Sequence, residues 1–257
     1  MSDHLLFNRE GSILAITLNR PEKHNALSPE MSEALVAACR GANDDPDLRA
    51  VIFRGAGDKA FAAGADIGRM EEWGGGPAGI AYEREVSEFL SAIEMVKVPT
   101  IAAVNGYCVG GGIEIAAACD LRIATPSARF GTPMARKLGN CLSMHAIALL
   151  VSHLGQSRAS DMLLRARLIG ADEAFAAGFV SEICSADELD DRAMTIAREV
   201  AANAPLTLQC FKESMRRLRV RDLPDIDDLI AMVYGSEDFR EGVSSFLEGR
   251  PAQWTGR

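Results

Sequence analysis

A short apolar run that breaks at a turn and continues through three glycines into a helix constrains this chain more than any other feature. Residues 101–104 are all apolar, the run breaks at 105–106, and glycines at 110–112 precede the alanine-rich residues 113–119. A run of this kind between turn residues predicts a buried strand, and the stretch after the glycines predicts a helix. The sequence therefore predicts a strand–turn–helix unit at the centre of the fold.

The glycines at 110–112 allow two interpretations. Glycines before a helix let the backbone approach another group closely, and the first N–H groups of a helix are unpaired and carry the positive end of its dipole. Such a place suits a bound or developing anion, and Glu114, three residues after Gly111, adds a carboxylate on the same face. Alternatively, the glycines only permit close helix–strand packing and Glu114 caps the first turn. The spacing does not match a dinucleotide-binding fingerprint.

Composition excludes several classes of protein. The chain has 257 residues, of which 48% are apolar and 25% charged, as in ordinary globular enzymes. A net charge of −9 argues against nucleic acid as a partner. The six cysteines form no CxxC pair and the four histidines are scattered, so we expect free thiols and no metal site. We also expect no signal peptide and no membrane span, and therefore a cytoplasmic protein.

Strand-like and helix-like segments alternate over the first two thirds of the chain. A β-hairpin is predicted around Glu10-Gly11, and a helix from Pro29 to Ala42 follows the N-cap residue Ser28. Residues 60–67, small and apolar without a period, predict a loop that either lines a ligand or lets two layers pack closely. From residue 187 onward the pattern is almost wholly helical. This order indicates the α/β class with a helical extension.

Several segments together resemble the crotonase (enoyl-CoA hydratase/isomerase) superfamily. The segments are LNRPEKHNAL (18–27), FAAGADI (61–67), AVNGYCVGGGIE (103–114), CDLRIA (119–124), FGTP (130–133), ADEA (171–174), and Glu241-Gly242 with Phe246-Leu247-Glu248. The resemblance covers nearly the whole chain in unbroken order. It implies a crotonase-like spiral of ββα turns over residues 1–195, with a C-terminal helical trimerisation region over 196–257. It also implies self-association as a homotrimer or a hexamer.

The resemblance further implies an acyl-CoA substrate whose thioester carbonyl is polarised by two backbone N–H groups. On the matching positions these donors are Ala65 and Gly111, and Glu114 is the catalytic carboxylate. Coenzyme A is part of the substrate, and no other cofactor is expected. The residues expected to contact the substrate or its coenzyme A are Lys23, Ala26, Leu27, Ala63, Ala65, Asp66, Ile67, Gly68, Gly111, Met134 and Arg250.

Two departures from the family pattern bear on the chemistry. Hydratases of the family carry a second glutamate after the FGTP segment, where this chain has Met134, which cannot transfer a proton. In the tail, Gly249 and Arg250 stand where relatives often place a lysine that reaches a neighbouring subunit's coenzyme, so we expect Arg250 to make that contact.

The missing glutamate leaves three hypotheses open. Glu114 alone moves a proton within the acyl chain, as in an isomerase; or it acts with a replacement partner; or the site serves thioester hydrolysis, decarboxylation or non-catalytic acyl-CoA binding. The candidate partners are Arg136, Asn140, Cys141 and His145. We take as leading hypothesis an enzyme of the enoyl-CoA hydratase/isomerase type that adds or removes water across a double bond, or shifts it, through Glu114.

Overall fold

The computed structural model describes residues 4–66 and 75–256, in which strands and helices alternate up to residue 183 and helices follow. The strands are β1 (Leu5–Glu10), β2 (Ile13–Leu18), β3 (Ala50–Gly55), β4 (Ala60–Ala62), β5 (Thr100–Val104), β6 (Tyr107–Val109), β7 (Leu121–Ala124), β8 (Arg129–Gly131), β9 (Ile169–Gly170) and β10 (Glu182–Ile183). The helices are α1 (Pro29–Ala42), α2 (Gly76–Glu94), α3 (Gly111–Ala118), α4 (Met134–Lys137), α5 (Met144–Leu164), α6 (Ala171–Ala176), α7 (Leu189–Ala201), α8 (Pro205–Val220), α9 (Asp227–Tyr234) and α10 (Glu237–Glu248), with a 3₁₀ turn at Pro21–Lys23.

Two sheets organise the described residues. The larger sheet has the strand order β1-β2-β3-β5-β7-β10 and the smaller one the order β4-β6-β8-β9. Three successive strand pairs, β3-β4, β5-β6 and β7-β8, each place one strand in each sheet before the chain enters a helix. Within each sheet these strands are parallel, because every turn crosses the molecule in the same direction. The predicted α/β class and spiral of ββα turns are confirmed.

The inner strands of the larger sheet, β2, β3, β5 and β7, are largely buried on both faces, which explains their nearly continuous apolar sequences, whereas the edge strand β1 is mostly exposed. Val51 and Phe53 of β3 point into the main core, while Ala50 and Ile52 point to the opposite face. That opposite face is covered by α7, through its buried residues Leu189, Ala193 and Ala197. Because α7 spans the predicted boundary between residues 195 and 196, the helical region begins on an element that packs against this sheet.

Some local predictions are wrong. Residues 60–62 form strand β4 and not a loop, because they pair with β6, which itself lies in the predicted turn. Three-residue strands are too short to carry a period, and their pairing is non-local. The sequence pattern of residues 82–95 predicts a long helix, and the observed helix α2 begins six residues earlier, at Gly76. The pattern of residues 179–183 predicts a strand, of which only the last two residues, β10 (Glu182–Ile183), pair in the sheet.

Four helices, α7 to α10, follow β10 in the described part of the chain. Helix α9 packs on α2, and α10 contacts α4 and α9. Helix α8 has no buried residue, although the amino group of Lys212 donates to the carbonyl of Val98 at 2.7 Å. The trimerisation role expected for this region stays a prediction. Among the described residues, no helix is long and apolar enough to cross a membrane.

Candidate active site

The start of α3 packs directly against the end of β4. A Cβ added to Gly112 would lie 2.2 Å from the carbonyl oxygen of Ala62, so only glycine allows this approach. Gly110, the N-cap, has φ 55°, a left-handed conformation that glycine adopts without strain. A Cβ added to Gly64 would lie 3.4 Å from the peptide nitrogen of Gly111. The first turn of α3 and the segment after β4 therefore form one surface of backbone groups.

Backbone geometry orients Ala65 within this surface. The N–H of Leu27 donates to the carbonyl of Gly64 at 2.8 Å, and the N–H of Asp66 donates to the carbonyl of Leu27 at 2.9 Å. In extended chain, successive N–H groups point to opposite sides. Because Asp66 directs its N–H toward Leu27, the N–H of Ala65 points away from Leu27. Gly111 is the first residue of α3, where an N–H group has no acceptor within its own helix.

Glu114 lies in the first turn of α3 and is only 3% exposed. Burial disfavours the charged form of a carboxyl group, and this desolvation, with a further contribution from the negative charge of Glu83, raises the pKa of Glu114 to about 8. A carboxyl group whose pKa lies near neutrality is suited to take up and release protons at physiological pH. The arrangement thus combines backbone donors with a proton-transferring side chain.

A second buried carboxyl group, Glu83 of α2, lies close enough to Glu114 to affect its ionisation. Its Oε1 accepts a hydrogen bond of 2.6 Å from the hydroxyl of Tyr234, and this hydroxyl in turn accepts a bond of 3.4 Å from Nδ2 of Asn140. Burial raises the pKa of Glu83 to about 7, partly opposed by the Tyr234 hydroxyl and by the backbone of Ser143. Two carboxyl groups with near-neutral pKa values therefore share this region.

Comparison with known proteins identifies the family. A family model described as enoyl-CoA hydratase/isomerase matches residues 8–257. The chain belongs to this family.

Enoyl-CoA hydratase/isomerase relatives match the chain along nearly all of its length. It is 32% identical to the short-chain-enoyl-CoA hydratase of Clostridium acetobutylicum, with 96% of each chain covered. It is 36% identical to the carnitinyl-CoA dehydratase of Salmonella arizonae, with both chains fully covered. The solved structure of methylmalonyl-CoA decarboxylase in complex with 2-nitronate-propionyl-CoA matches it with a TM-score of 0.91 at 28% identity over the whole of both chains. The chain is therefore an acyl-CoA enzyme of the enoyl-CoA hydratase/isomerase type.

The structure brings most of the predicted binding residues of this family member to the two segments that meet at Ala65. Leu27 is buried against the 64–66 segment, whereas Lys23 is exposed in the 3₁₀ turn that precedes it. Ala63 donates its N–H to the carbonyl of His24 at 3.0 Å. The described residues on these two segments are Lys23, Ala26, Leu27, Ala63, Ala65 and Asp66. Ile67 and Gly68 lie outside the described residues.

The side chain of Arg20 contacts both Asp66 and Ala26. The guanidinium of Arg20 contacts the carboxylate of Asp66 at 3.2 Å and donates to the carbonyl of Ala26 at 2.8 Å. Asp66 is exposed, so this pair lies at the outer end of the segment. Arg20 thus joins the 3₁₀-turn segment to the segment that carries Ala65.

Met134 and Arg250, which are also predicted to contact the substrate or its coenzyme A, lie outside these two segments. Met134 begins α4 and packs, partly exposed, against the main core. The guanidinium of Arg250 makes two hydrogen bonds to the carboxylate of Glu241, at 2.6 and 2.8 Å, and one of 2.5 Å to Glu248. The charge of Arg250 is thus already balanced within the chain, and its coenzyme contact stays a prediction.

The four candidate partners of Glu114 divide into two groups. Arg136 is bonded to the carbonyls of Arg165 and Ala166, and His145 pairs with Glu94 at 2.5 Å. Asn140 and Cys141, in contrast, lie beside Glu83 and its hydrogen-bonding partner Tyr234.

The thiol of Cys141 is unsuited to proton transfer at neutral pH. Cys141 packs, as Ala65 does, against the apolar cluster that contains Tyr234. Burial raises its pKa to about 12, with a smaller contribution from the charge of Glu83, so this thiol stays protonated at neutral pH. Within the described part of the chain, no group of three or more histidine, cysteine or acidic side chains is arranged to hold a metal ion.

Sequence reasoning missed Glu83, although a local signal was present. The buried residues of α2 include Gly79, Glu83, Leu90 and Ile93, which recur at helical spacing. A glutamate on the apolar face of an amphipathic helix is unusual unless it is paired or functional. The signal becomes specific only when tertiary packing places this helix beside α3.

Proposed function

We propose that this enzyme adds or removes water across a double bond beside the thioester carbonyl of an acyl-CoA, or shifts that double bond. The peptide N–H groups of Ala65 and Gly111 bind the carbonyl oxygen, and Glu114 transfers a proton to or from the acyl chain. The observation that carries the proposal is the buried Glu114, whose pKa is about 8, one turn inside a helix whose first residues contact Gly64.

The oxyanion-binding backbone is what makes proton transfer at this carbon feasible. Loss of a proton next to a thioester places negative charge on the carbonyl oxygen. Fixed donors aimed at that oxygen stabilise the transition state by about 2.7–4 kcal/mol each in other enzymes. The orientation of the Ala65 N–H away from Leu27, and the unpaired position of Gly111 in α3, support this role.

The coenzyme arm supplies positioning that a small acyl group cannot supply. We assign the contacts with it to the two segments that meet at Ala65, and the wall of the acyl pocket to Met134. The residues proposed to contact coenzyme A are Lys23, Ala26, Leu27, Ala63, Asp66, Ile67, Gly68 and Arg250. Coenzyme A enters as part of the substrate, and no further cofactor is included in the proposal.

The test is turnover of crotonyl-CoA (hydration) and of a 3-enoyl-CoA (isomerisation) by the wild type and Glu114→Gln. We expect the glutamine variant to lose about 100-fold or more in kcat, as for removal of a general acid/base, while binding of the ester by calorimetry stays within about threefold. Glu88→Gln, an exposed glutamate on α2, is the matched control. Full activity of Glu114→Gln, or tight ester binding without turnover by the wild type, would contradict the proposal.

A second candidate reaction is decarboxylation of a carboxyacyl-CoA. Two observations favour it: Met134 replaces the second glutamate of the hydratases, and the chain matches the structure of methylmalonyl-CoA decarboxylase with a TM-score of 0.91. The same backbone donors would stabilise the enolate left after loss of carbon dioxide. Release of carbon dioxide from methylmalonyl-CoA, measured beside the hydration assay, separates the two reactions.

A further inference from the structure

Glu83 occupies a position that a structural role alone does not explain. Its side chain is buried in α2, and of its two carboxylate oxygens Oε2 makes no hydrogen bond of ordinary geometry to the described residues, although the backbone of Ser143 lies near the carboxylate. A buried carboxyl group with an unsatisfied oxygen costs free energy. A glutamine would accept the same bond from Tyr234 without carrying a charge. The carboxyl group is therefore the feature that needs a functional reason.

Three parts of the chain converge to hold this carboxyl group. The ring of Tyr234 packs where a Cβ on Gly79 would lie 2.2 Å from Cγ of the tyrosine, so α9 approaches α2 as closely as a glycine allows. The Tyr234 hydroxyl donates to Oε1 of Glu83, and Asn140, between α4 and α5, donates to that hydroxyl. The Oδ1 of Asn140 also lacks a partner among the described residues. The cluster is thus fixed on one side and has free acceptors.

The same cluster borders the backbone donors of the proposed site. Ala65 and Cys141 pack against the apolar group that contains Tyr234, and Tyr82 lies edge-on to Tyr234 with ring centroids 6.4 Å apart. Helix α2, which carries Glu83, also packs against α3, which carries Glu114. The two carboxyl groups therefore approach one region from neighbouring helices, with Ala65 beside them.

We infer that Glu83 is the second acid/base carboxyl group of this site, paired with Glu114 and held in place by Tyr234. Glu83, on α2, performs the second proton transfer. In hydratases of the family a glutamate after β8 has this role, and Met134 at that position cannot transfer a proton. The inference rests on the proposed function, because it assigns a partner to Glu114 in the same reaction.

With one carboxylate and one protonated carboxyl group, the pair accounts for both proton transfers in the addition of water. One carboxylate accepts a proton from water as the water oxygen bonds to Cβ, and the C=C electrons move toward the thioester carbonyl. The enolate re-forms the carbonyl as Cα takes a proton from the other carboxyl group, which is protonated. Water has then been added, and one proton has passed from one carboxyl group to the other. Return of that proton through solvent restores the pair, and the reverse sequence removes water.

Ionisation of the cluster fits such a pair. Within residues 4–66 and 75–256, the titratable groups that interact with the two carboxyl groups are Tyr82 on α2, Tyr234 on α9 and Cys141 before α5. Burial raises the pKa of each of these three, so they are neutral at pH 7. With pKa values of about 7 and 8, Glu83 and Glu114 together hold one proton at about pH 7.5, midway between the two values. One acid and one base are therefore present together.

The experiment measures kcat, KM and the pH profile of Glu83→Gln on the ester that the wild type turns over. We expect kcat to fall about 100-fold or more, with KM changed by less than about threefold. Glu85→Gln, an exposed glutamate on the same helix, is the matched control and should behave as the wild type. Wild-type kcat and pH profile in Glu83→Gln, beside an inactive Glu114→Gln, would overturn the pairing and leave the proposed function intact.

Two further measurements keep the inference testable apart from turnover. In protein labelled with ¹³C at glutamate carboxyl carbons, Glu83→Gln should lower the pKa of Glu114, because a neighbouring negative charge is removed. An unchanged Glu114 titration would refute the pairing even if no ester were turned over. Tyr234→Phe removes a bond that favours the ionised form of Glu83, so the pKa of Glu83 and the matching limb of the pH profile should move upward. A purely structural Tyr234 would leave both where they are.

Discussion

Glu114 and Glu83 hold their protons far above the pH at which exposed carboxyl groups lose them. Their pKa values rise from 4.5 to about 8 and about 7. Between pH 4.5 and these values the unfolded chain binds fewer protons than the folded protein, so the free energy of unfolding falls as pH rises. Since one pKa unit corresponds to about 1.4 kcal/mol, the burial of Glu114 costs on the order of a few kcal/mol above pH 8.

Glu114→Gln should therefore stabilise the protein in a pH-dependent manner. Below about pH 4 the carboxyl group of Glu114 is mostly neutral in both states, and the variant and the wild type should unfold at similar urea concentrations; at pH 5 the difference is still small, because the pKa of the unfolded chain's glutamate is 4.5. At pH 8 the variant should be more stable by on the order of a few kcal/mol. Urea unfolding at pH 5 and pH 8, at one protein concentration, measures the difference.

Other carboxyl groups act in the opposite sense and must be separated from this effect. Ion pairs lower the pKa values of Glu213 and Glu241 to about 2, so their stabilisation is lost as pH falls below about 4.5. These groups are the same in the variant and the wild type, and they cancel in the difference. An equal difference at both pH values would show that Glu114 does not titrate as described. Glu88→Gln is the exposed control.

At the scale of elements, the contact between α3 and β4 carries the proposed donors. Gly112→Ala places a methyl group against the Ala62 backbone, at 2.2 Å from its carbonyl oxygen, so the helix and the strand must separate. We expect a loss of about 1–3 kcal/mol in the free energy of unfolding. We also expect a fall in kcat of about 100-fold, because the Ala65 and Gly111 donors no longer share one oxygen.

Gly41→Ala in α1 is the matched control, because a Cβ there meets no atom within 4 Å. It should leave kcat unchanged and raise stability by about 0.4–1 kcal/mol through the unfolded chain. Thermal unfolding and the turnover assay provide both readouts. If Gly112→Ala behaves like Gly41→Ala, the close approach of α3 to β4 is not needed for the site.

Elements with a strong local period are predicted from the sequence, and those defined by pairing are not. Helix α1 follows an N-cap serine whose side chain accepts the N–H of Met31, and its predicted bounds, Pro29 to Ala42, are the observed ones. Helix α10 likewise lies between local signals, an N-cap Ser236 whose side chain accepts the N–H of Phe239 and a left-handed C-cap at Gly249. Strands β4 and β6 exist because they pair with each other, which no three-residue pattern reveals.

At the scale of the whole molecule, the site is only partly predictable for the same reason. Glu114 and Gly111 are neighbours in the chain, so a local motif identifies both. Glu83 and Tyr234 are 151 residues apart, and only the packing of α9 on α2 brings them within 2.6 Å. The family resemblance locates the segments shared with relatives, whereas a carboxyl group on a different helix falls outside those segments.

Helix α8 carries an apolar face that the described part of the chain does not cover. Phe211, Met215 and Leu218 recur at helical spacing on one face and are 59%, 58% and 75% exposed. Apolar side chains grouped on one face of a helix mark a site of association. We therefore expect this face to pack against another copy of the chain, in the homotrimer or hexamer predicted from the sequence.

Replacement of Met215 and Leu218 by lysine should prevent this association, because two charges would be buried at the interface. Light scattering on the size-exclusion eluate should give a trimer or hexamer for the wild type and a smaller species for the double variant. The control is Leu164→Lys, which changes an isolated apolar residue, 83% exposed at the end of α5, and should keep the wild-type mass. A monomeric wild type would refute self-association. An unchanged mass in the double variant would place the interface on another face.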